Sequence, residues 1–332
     1  MDDFLRLAPA RRTALYIESS ARLGLSAAAI EKDFWITWTL RELFSLPGLG
    51  DHLTFKGGTS LSKGWKLIDR FSEDVDVVVD RAHLGFGGDE IGHSRLKKLR
   101  RRARAWIAEA LLPLLARRIA EKLGDDAASR LALAPEIDDP DQQTLFFEYP
   151  RLDIPGGSYL RPIVRIECGA RSETEPSETP TILPLLFDAL PDLAKRGELR
   201  VRTLAARRTM IEKAMLLHEE RQRPAERRRP SRQARHYYDL WCLILRGTGD
   251  EVLADSDLFE RVAHHRERFW AQSWVDYSTL RRGSLTLLPA EGELQGWRDD
   301  YMAMREMIFG EPPDFDDVLA EIERFQSRLN SV

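Results

Sequence analysis

HLTFKGGTSLSKGWKLIDRFSEDVDVVVD, residues 52–80, reads as a short strand (Leu53 to Phe55), a glycine turn, a helix from about Leu61 to Ile68, and a second strand from Asp74 to Val79. Side chains alternate between the faces of a strand, so Asp74, Asp76 and Asp80 share one face and Val75, Val77 and Val79 the other. The valines enter a core; the aspartates do not. Carboxylates at i and i+2 have Cα atoms roughly 6.5 Å apart, close enough to converge on a divalent metal of the kind that clamps a phosphoryl transfer. Mg²⁺ or Mn²⁺ suits such hard oxygens and takes its remaining ligands from water and substrate phosphate.

Upstream, Gly57 and Gly58 carry no Cβ, so the backbone turns sharply and approaches a ligand closely, and Thr59 or Ser60 caps the helix that follows. A helix start presented in this way attracts anions, and Lys63 in the first turn adds a positive charge beside it. The phosphates of a nucleoside triphosphate then lie between the glycine turn and a metal held by Asp74 and Asp76. Ser72 precedes the acids closely enough that a bulky charged modification there would repel the nucleotide. Glycine turns and Asp-x-Asp triplets are each common, and either alone reads as a tight turn or as a strand with a solvated acidic face. Their pairing across one strand–helix–strand unit is what points to nucleotide chemistry.

Gly57-Gly58-Thr59-Ser60 followed by Ser72-x-Asp74-x-Asp76 resembles the polymerase-β-like nucleotidyltransferase superfamily. Within it, the run FKGGTSLSKGWKLIDRFSEDVDV resembles the AbiEii/AbiGii nucleotidyltransferase toxins of bacterial toxin–antitoxin and phage-defence loci. The resemblance implies an α/β (α+β) protein. A nucleotidyltransferase-like mixed sheet flanked by helices is expected over residues 1–200, and a helical domain closing the active-site cleft over residues 201–332. It also implies a Mg²⁺-dependent toxin that transfers a nucleotide from an NTP to an RNA acceptor, the 3′ end of tRNA, and so blocks translation. A separate antitoxin of winged-helix type, encoded alongside, would restrain it.

Composition fits this frame. The chain has 332 residues, 43% of them hydrophobic, enough for one large domain or two ordinary ones, and 31% charged. A formal net charge of −4 hides clustered basic residues, so it does not exclude a nucleic-acid partner. Cys168 and Cys242 sit among apolar neighbours, far apart, and read as buried free thiols. MDDFLRLAP is no signal peptide and no apolar run is long enough to span a bilayer, so the expected location is the cytoplasm, with no membrane partner.

Two helices are expected over residues 8–22 and 26–46, the second beginning with IEKDFW. Glu31, Lys32 and Asp33 read there as the polar face of the first turn, although an EKD-aromatic signature also precedes the Gly-Gly motif in the toxins it resembles. GFGGDEIG, residues 85–92, reads as a mobile loop and matches no phosphate-binding fingerprint. RLKKLRRRAR, residues 95–104, then places seven basic residues in ten at the head of a helix, kinked at Pro113. Lys97, Lys98, Arg100 and Arg101 in it suit a phosphate backbone, a solvated helix face being the structural alternative.

LFFEYP and PIVRIECG, between residues 144 and 169, read as two strands joined by a turn at Pro155-Gly156-Gly157, and SETEPSETPT, residues 172–181, as a loop. Glu167 is the one acid on the polar face of the second strand. It is either the third carboxylate of a nucleotidyltransferase, accepting a proton from the attacking hydroxyl or completing the metal cage, or a surface glutamate paired with Arg165 or Arg171. Lys213, in RRTMIEKAMLLHEE, lies at the edge of an apolar helix face, where it snorkels or points at an anion. By resemblance its partner is the triphosphate.

RQRPAERRRPSRQARHYYDLW, residues 221–241, carries seven arginines in its first fifteen positions. It reads as an exposed basic loop, with Arg228, Arg229, Arg232 and Arg235 as RNA contacts, leading into a helix that begins near Arg235. RHYYDL resembles the last motif of the toxins, which implies that Asp239 orients Lys213 or an arginine. The tail, DYMAMREMIFGEPPDFDDVLAEIERF, is two helices around a proline-marked break. Two other functions compete with RNA modification: nucleotide transfer to a small molecule, which needs no arginine-rich surface, and non-catalytic RNA binding, which needs no Asp74 and Asp76.

Overall fold

The computed structural model describes residues 1–88, 92–154, 160–196, 198–224, 226–227 and 232–331. Parts of the glycine-rich loop and the turn at Pro155-Gly156-Gly157 lie outside these residues, as do Arg228 and Arg229. The chain forms two compact units, Met1–Trp65 with Phe71–Leu204 and Lys66–Arg70 with Ala205–Val332.

The strands of the first unit are β1 (Leu53–Lys56), β2 (Asp74–Val79), β3 (Leu131–Leu133), β4 (Thr144–Glu148), β5 (Ile163–Gly169), β6 (Ser177–Glu178), β7 (Thr181–Ile182), β8 (Leu199–Arg200) and β9 (Thr203–Leu204). Seven of the described strands make one mixed sheet in the order β3-β4-β5-β2-β1-β9-β6, and β7 pairs with β8. β2 runs parallel to β5, and β1 and β4 flank this pair antiparallel. Residues 172–181, expected as a loop, therefore hold two short strands. Their partners lie 17 to 27 residues onward in the chain, at Thr203–Leu204 and Leu199–Arg200, beyond the reach of local pattern.

One face of the sheet is the core. Val75, Val77, Val79, Val164, Ile166, Cys168, Leu145 and Phe147 are all buried on it. The helices of this unit include α1 (Pro9–Leu23), α2 (Ala27–Phe44), α3 (His93–Trp106) and α4 (Leu112–Leu123). α2, capped by Ser26 accepting the Ala29 N–H, stacks Trp38 on Phe147 at 6.1 Å and Trp35 on Tyr149 at 5.5 Å. Each of these fully buried aromatics contributes on the order of 2–3 kcal/mol of transfer free energy.

At Pro113 the helix is not broken. A π turn at Ile107–Leu111 precedes it, with the Leu112 N–H bonding the Ile107 carbonyl five residues back. The wider turn makes room for a ring that would otherwise press on the carbonyl of the preceding turn.

The helix expected from Leu61 to Ile68 is a correction. Helical backbone runs instead from Gly57 through a π turn at Ser60–Gly64, and Lys66 takes φ 53°. Tertiary pairing overrides the local pattern here. The Asp69 carbonyl accepts the Phe309 N–H at 2.8 Å and the Tyr238 hydroxyl at 3.1 Å, and Arg70 bridges to Ile308.

Those partners all lie in the second unit, whose helices include α5 (Ala206–Arg221), α6 (Arg235–Leu245), Thr248–Ala254, Ser256–Phe269, Leu294–Met304 and Phe315–Asn330. Tyr237 anchors its core, edge-on to Trp297 at 4.9 Å, its hydroxyl donating to the Leu287 carbonyl. Among the described residues no helix is long and apolar enough to cross a membrane. Cys168 and Cys242 are buried and free.

Candidate active site

Opposite the valine core, the second face of the sheet carries two rows of side chains set by strand register. Lys56, Asp76, Glu167 and Thr144 stand side by side across β1, β2, β5 and β4. Asp74, Arg165 and Phe146 form the next row. Partners in register share a face, so alternation along each strand delivers three carboxylates, two cations and an aromatic ring to one surface.

Gly57, immediately after β1, closes the site from the side. Its φ of +78° is a left-handed backbone that favours glycine, and a Cβ built there would fall 2.1 Å from Asp76 Oδ2. The glycine turn and the Asp76 carboxylate thus face each other directly, and any side chain at 57 would occupy the place of that carboxylate. Gly57 and Gly58 remain half-exposed.

Among the described residues no group of three or more His, Cys, Asp and Glu side chains forms a ready metal cage. What the sheet provides is a two-carboxylate platform, Asp74 and Asp76, with Glu167 one strand away. The donor set fits a hard divalent cation that keeps water and phosphate ligands. Burial pushes the Glu167 carboxyl up to about 7, with repulsion from Asp76 and Asp74 adding to it and Arg165 and Lys56 pulling the other way. A carboxyl poised near neutral pH, next to two acids, suits proton acceptance. Arg165 Nε lies 2.8 Å from Glu167 Oε1, one of the two pairings that sequence allowed, but without hydrogen-bond alignment.

Several expected ligand contacts turn inward instead. Thr59 and Ser60 are fully buried and cap nothing. Thr59 Oγ1 lies against the Asp74 carbonyl and 2.9 Å from Ser72 Oγ; since a carbonyl only accepts, Thr59 donates to it and Ser72 donates to Thr59. Ser60 donates to the Gly57 carbonyl at 2.8 Å. Lys63, expected beside the phosphates, is buried with its ammonium paired to Asp33, which also accepts the Leu185 N–H at 2.7 Å. These four residues hold the turn and β2 in place.

Glu31, Lys32 and Asp33 are likewise no solvated face, each being under 5% exposed. Lys32 pairs with Glu73, the residue before Asp74, and Glu31 accepts the Leu152 N–H at 2.8 Å. One turn of α2 therefore grips both halves of the site, the glycine turn through Asp33 and the acidic strand through Lys32. The signal was present in the sequence: apolar residues surround these charges on every side of the helix, and a helix apolar all round is a buried one.

Within the second unit, Asp239 is fully buried between two cations. Arg70 grips it with two bonds, at 2.7 and 2.8 Å, and Lys213 Nζ lies 2.8 Å from Oδ2. The pair of cations holds the Asp239 carboxyl well below the usual carboxylate range against the effect of burial. Burial lowers Lys213, with Asp239 opposing, and lowers His236 well below its ordinary value, its Nδ1 3.4 Å from the ammonium.

Of the basic residues singled out, Lys97, Lys98, Arg100 and Arg101 are exposed along α3, Arg100 sharing its charge with Asp141. Arg232 is exposed and Arg235 half-buried at the start of α6. Nearby, Arg223 and Arg227 lie over the Trp274 ring at 5.1 and 4.3 Å. Lys56 and Phe146, both facing the acids' side of the sheet, escaped the sequence reading. Their places depend on register, although the alternation of Phe146 and Phe147 was visible.

The family model of the nucleotidyl transferase AbiEii toxin of type IV toxin–antitoxin systems matches residues 38–321. Among solved structures, the chain is similar to JHP933 from Helicobacter pylori, at 14% identity over 92% of this chain and 94% of that chain, with a TM-score of 0.45. It is also similar to the nucleotidyltransferase toxin MenT4 from Mycobacterium tuberculosis H37Rv, at 17% identity over 98% and 99% of the two chains, with a TM-score of 0.37. No curated protein matches the sequence.

Proposed function

The chain belongs to the AbiEii family of nucleotidyltransferase toxins of type IV toxin–antitoxin systems, and from that membership we propose that it transfers one nucleotide from an NTP to the 3′ end of tRNA in the cytoplasm, stopping translation. Such a toxin works against a cognate antitoxin, its protein partner. In this reading Asp74 and Asp76 would hold Mg²⁺, which would supply positive charge against the phosphates. The triphosphate lies along Gly57 and Gly58, where no side chain obstructs the backbone N–H groups. A 3′-hydroxyl attacks the α-phosphorus, the bond from that phosphorus to the α–β bridging oxygen breaks, and pyrophosphate leaves. Glu167 as carboxylate takes the hydroxyl proton.

Lys56, in register with Asp76 and donating to Ser172 Oγ at 2.9 Å, supplies the positive charge on the site's β1 side. Contact of Lys213 with a phosphate would exchange part of its ion pair with Asp239, so Asp239 sets how readily that lysine is released. A charged modification at Ser72 would break its bond to Thr59 and crowd the nucleotide. Lys97, Lys98, Arg101 and Arg232, with Arg228 and Arg229, supply the salt-dependent grip that a polyanionic acceptor needs. Transfer to a small molecule would leave these basic residues without a purpose.

The observation that carries the reading is the apposition of Gly57 and the Asp76 carboxylate. Incubating the purified protein with total tRNA, Mg²⁺ and each labelled NTP in turn should place label in tRNA. Asp76→Ala or chelation of the metal should reduce it by at least a thousandfold, a loss comparable with removing a principal transition-state contact. Label confined to small solutes, or toxicity undiminished in Asp76→Ala, overturns it.

A further inference from the structure

The charged face of the sheet also carries an aromatic ring. Phe146 is half-exposed on β4, in the same row as Arg165 and Asp74. Its neighbour Phe147 points the other way and is fully buried in the core. The Arg165 guanidinium lies over the Phe146 ring at 5.9 Å from its centroid, and the Arg165 and Glu167 side chains are 37% and 42% exposed, within reach of a ligand. An accessible ring with a planar cation beside it is a surface on which a nucleobase stacks whatever its identity.

Position on the sheet says which base. Across the strands the order is glycine turn, Asp74 and Asp76, Glu167, then Phe146. In the reading above, the phosphates and metal would lie on the β1–β2 side and the attacking hydroxyl at Glu167 on β5. Phe146 lies one strand beyond Glu167, about 10 Å from Asp74 at the usual strand spacing. It is thus on the side from which the attacking group arrives, a nucleotide's length from the metal platform.

Resting on the reading of this protein as an RNA nucleotidyltransferase, we propose that Phe146 and Arg165 seat the 3′-terminal base of the acceptor RNA, so that its hydroxyl is delivered to Glu167. Stacking on an exposed ring tolerates any base, which means that this seat selects for a free, unpaired end rather than for a sequence. The ion pair of Arg165 with Glu167 links the seat to the proton acceptor.

The test measures labelled-nucleotide transfer at varied tRNA and at varied NTP for the full chain, Phe146→Ala and Phe146→Tyr. Phe146→Ala should raise the KM for tRNA by about tenfold or more while the KM for NTP moves less than twofold, and Phe146→Tyr should behave like the parent. A second arm keeps the protein unaltered and uses a tRNA whose terminal nucleotide lacks its base. That acceptor should lose the same factor with the parent chain and nothing further with Phe146→Ala. Equal use of the two acceptors by the parent chain overturns the proposal whatever the variants do, as does a rise in KM for NTP instead, which would assign the ring to the incoming nucleotide. Absence of any transfer to RNA by the parent chain refutes the underlying function, a result distinct from both.

Discussion

Glu167 shows how much one carboxyl depends on its neighbours. Half-exposed on β5, it is pushed up to about 7 by burial first and by Asp76 second. Its neutral form is therefore favoured in the folded chain, and the stability this confers is present below the unfolded value near 4.3 and is lost as pH rises through about 7. Activity runs the opposite way, since only the carboxylate accepts a proton. We expect kcat/KM for tRNA labelling to climb with pH and level off above about 7. Glu167→Gln should remove the limb and raise Tm more at pH 8.5 than at pH 6; a profile flat across that range would take Glu167 out of the proton step. Strand alternation alone put Asp74, Asp76 and Glu167 on polar faces, and this much was legible in the sequence. Register between strands some seventy to ninety residues apart is not a local property, so the row of Phe146, Arg165 and Asp74 was not.

At the scale of elements, α2 decides whether the glycine turn and β2 keep their places. The apolar spacing of Ile30, Phe34, Trp35 and Trp38 announced the helix, and the mixed sheet was implied by the family resemblance rather than by the strands themselves. The crossed pairs Asp33–Lys63 and Lys32–Glu73 went unseen because their partners lie thirty and forty-one residues away. Removing one member of such a pair strands a buried charge, whereas neutralising both is milder. Lys63→Met should therefore lower stability by about 3–5 kcal/mol in urea denaturation, and the double variant Asp33→Asn with Lys63→Met should recover more than half of that. The amide oxygen introduced by Asp33→Asn would still accept the Leu185 N–H. An additive double variant would mean that the pair is not coupled, and that α2 holds the turn by packing alone.

The molecule as a whole is two units with an unequal claim on the sequence. The helical character beyond Ala206 was legible from composition and periodicity. That Lys66–Arg70 belongs with those helices was not, because WKLIDR looks locally like the end of a helix. Asp239 makes the assignment energetic: held well below the usual carboxylate range by Arg70 and Lys213, it contributes stability that is present above about pH 4 and lost as pH falls through its lowered value. Asp239→Asn should cost about 3–5 kcal/mol at pH 7, the gap narrowing on acidification, as chemical denaturation across pH would show. A gap independent of pH would assign the loss to packing. Arg70 and Asp239 are 169 residues apart. At ordinary translation speeds, on the order of 10–30 s separate the emergence of the arginine from that of the acid it awaits. A ribosome-bound nascent chain thus carries its glycine turn, Asp74 and Asp76 well before the second unit can close around Arg70, so a toxin cut short by premature termination would also be an unfinished one.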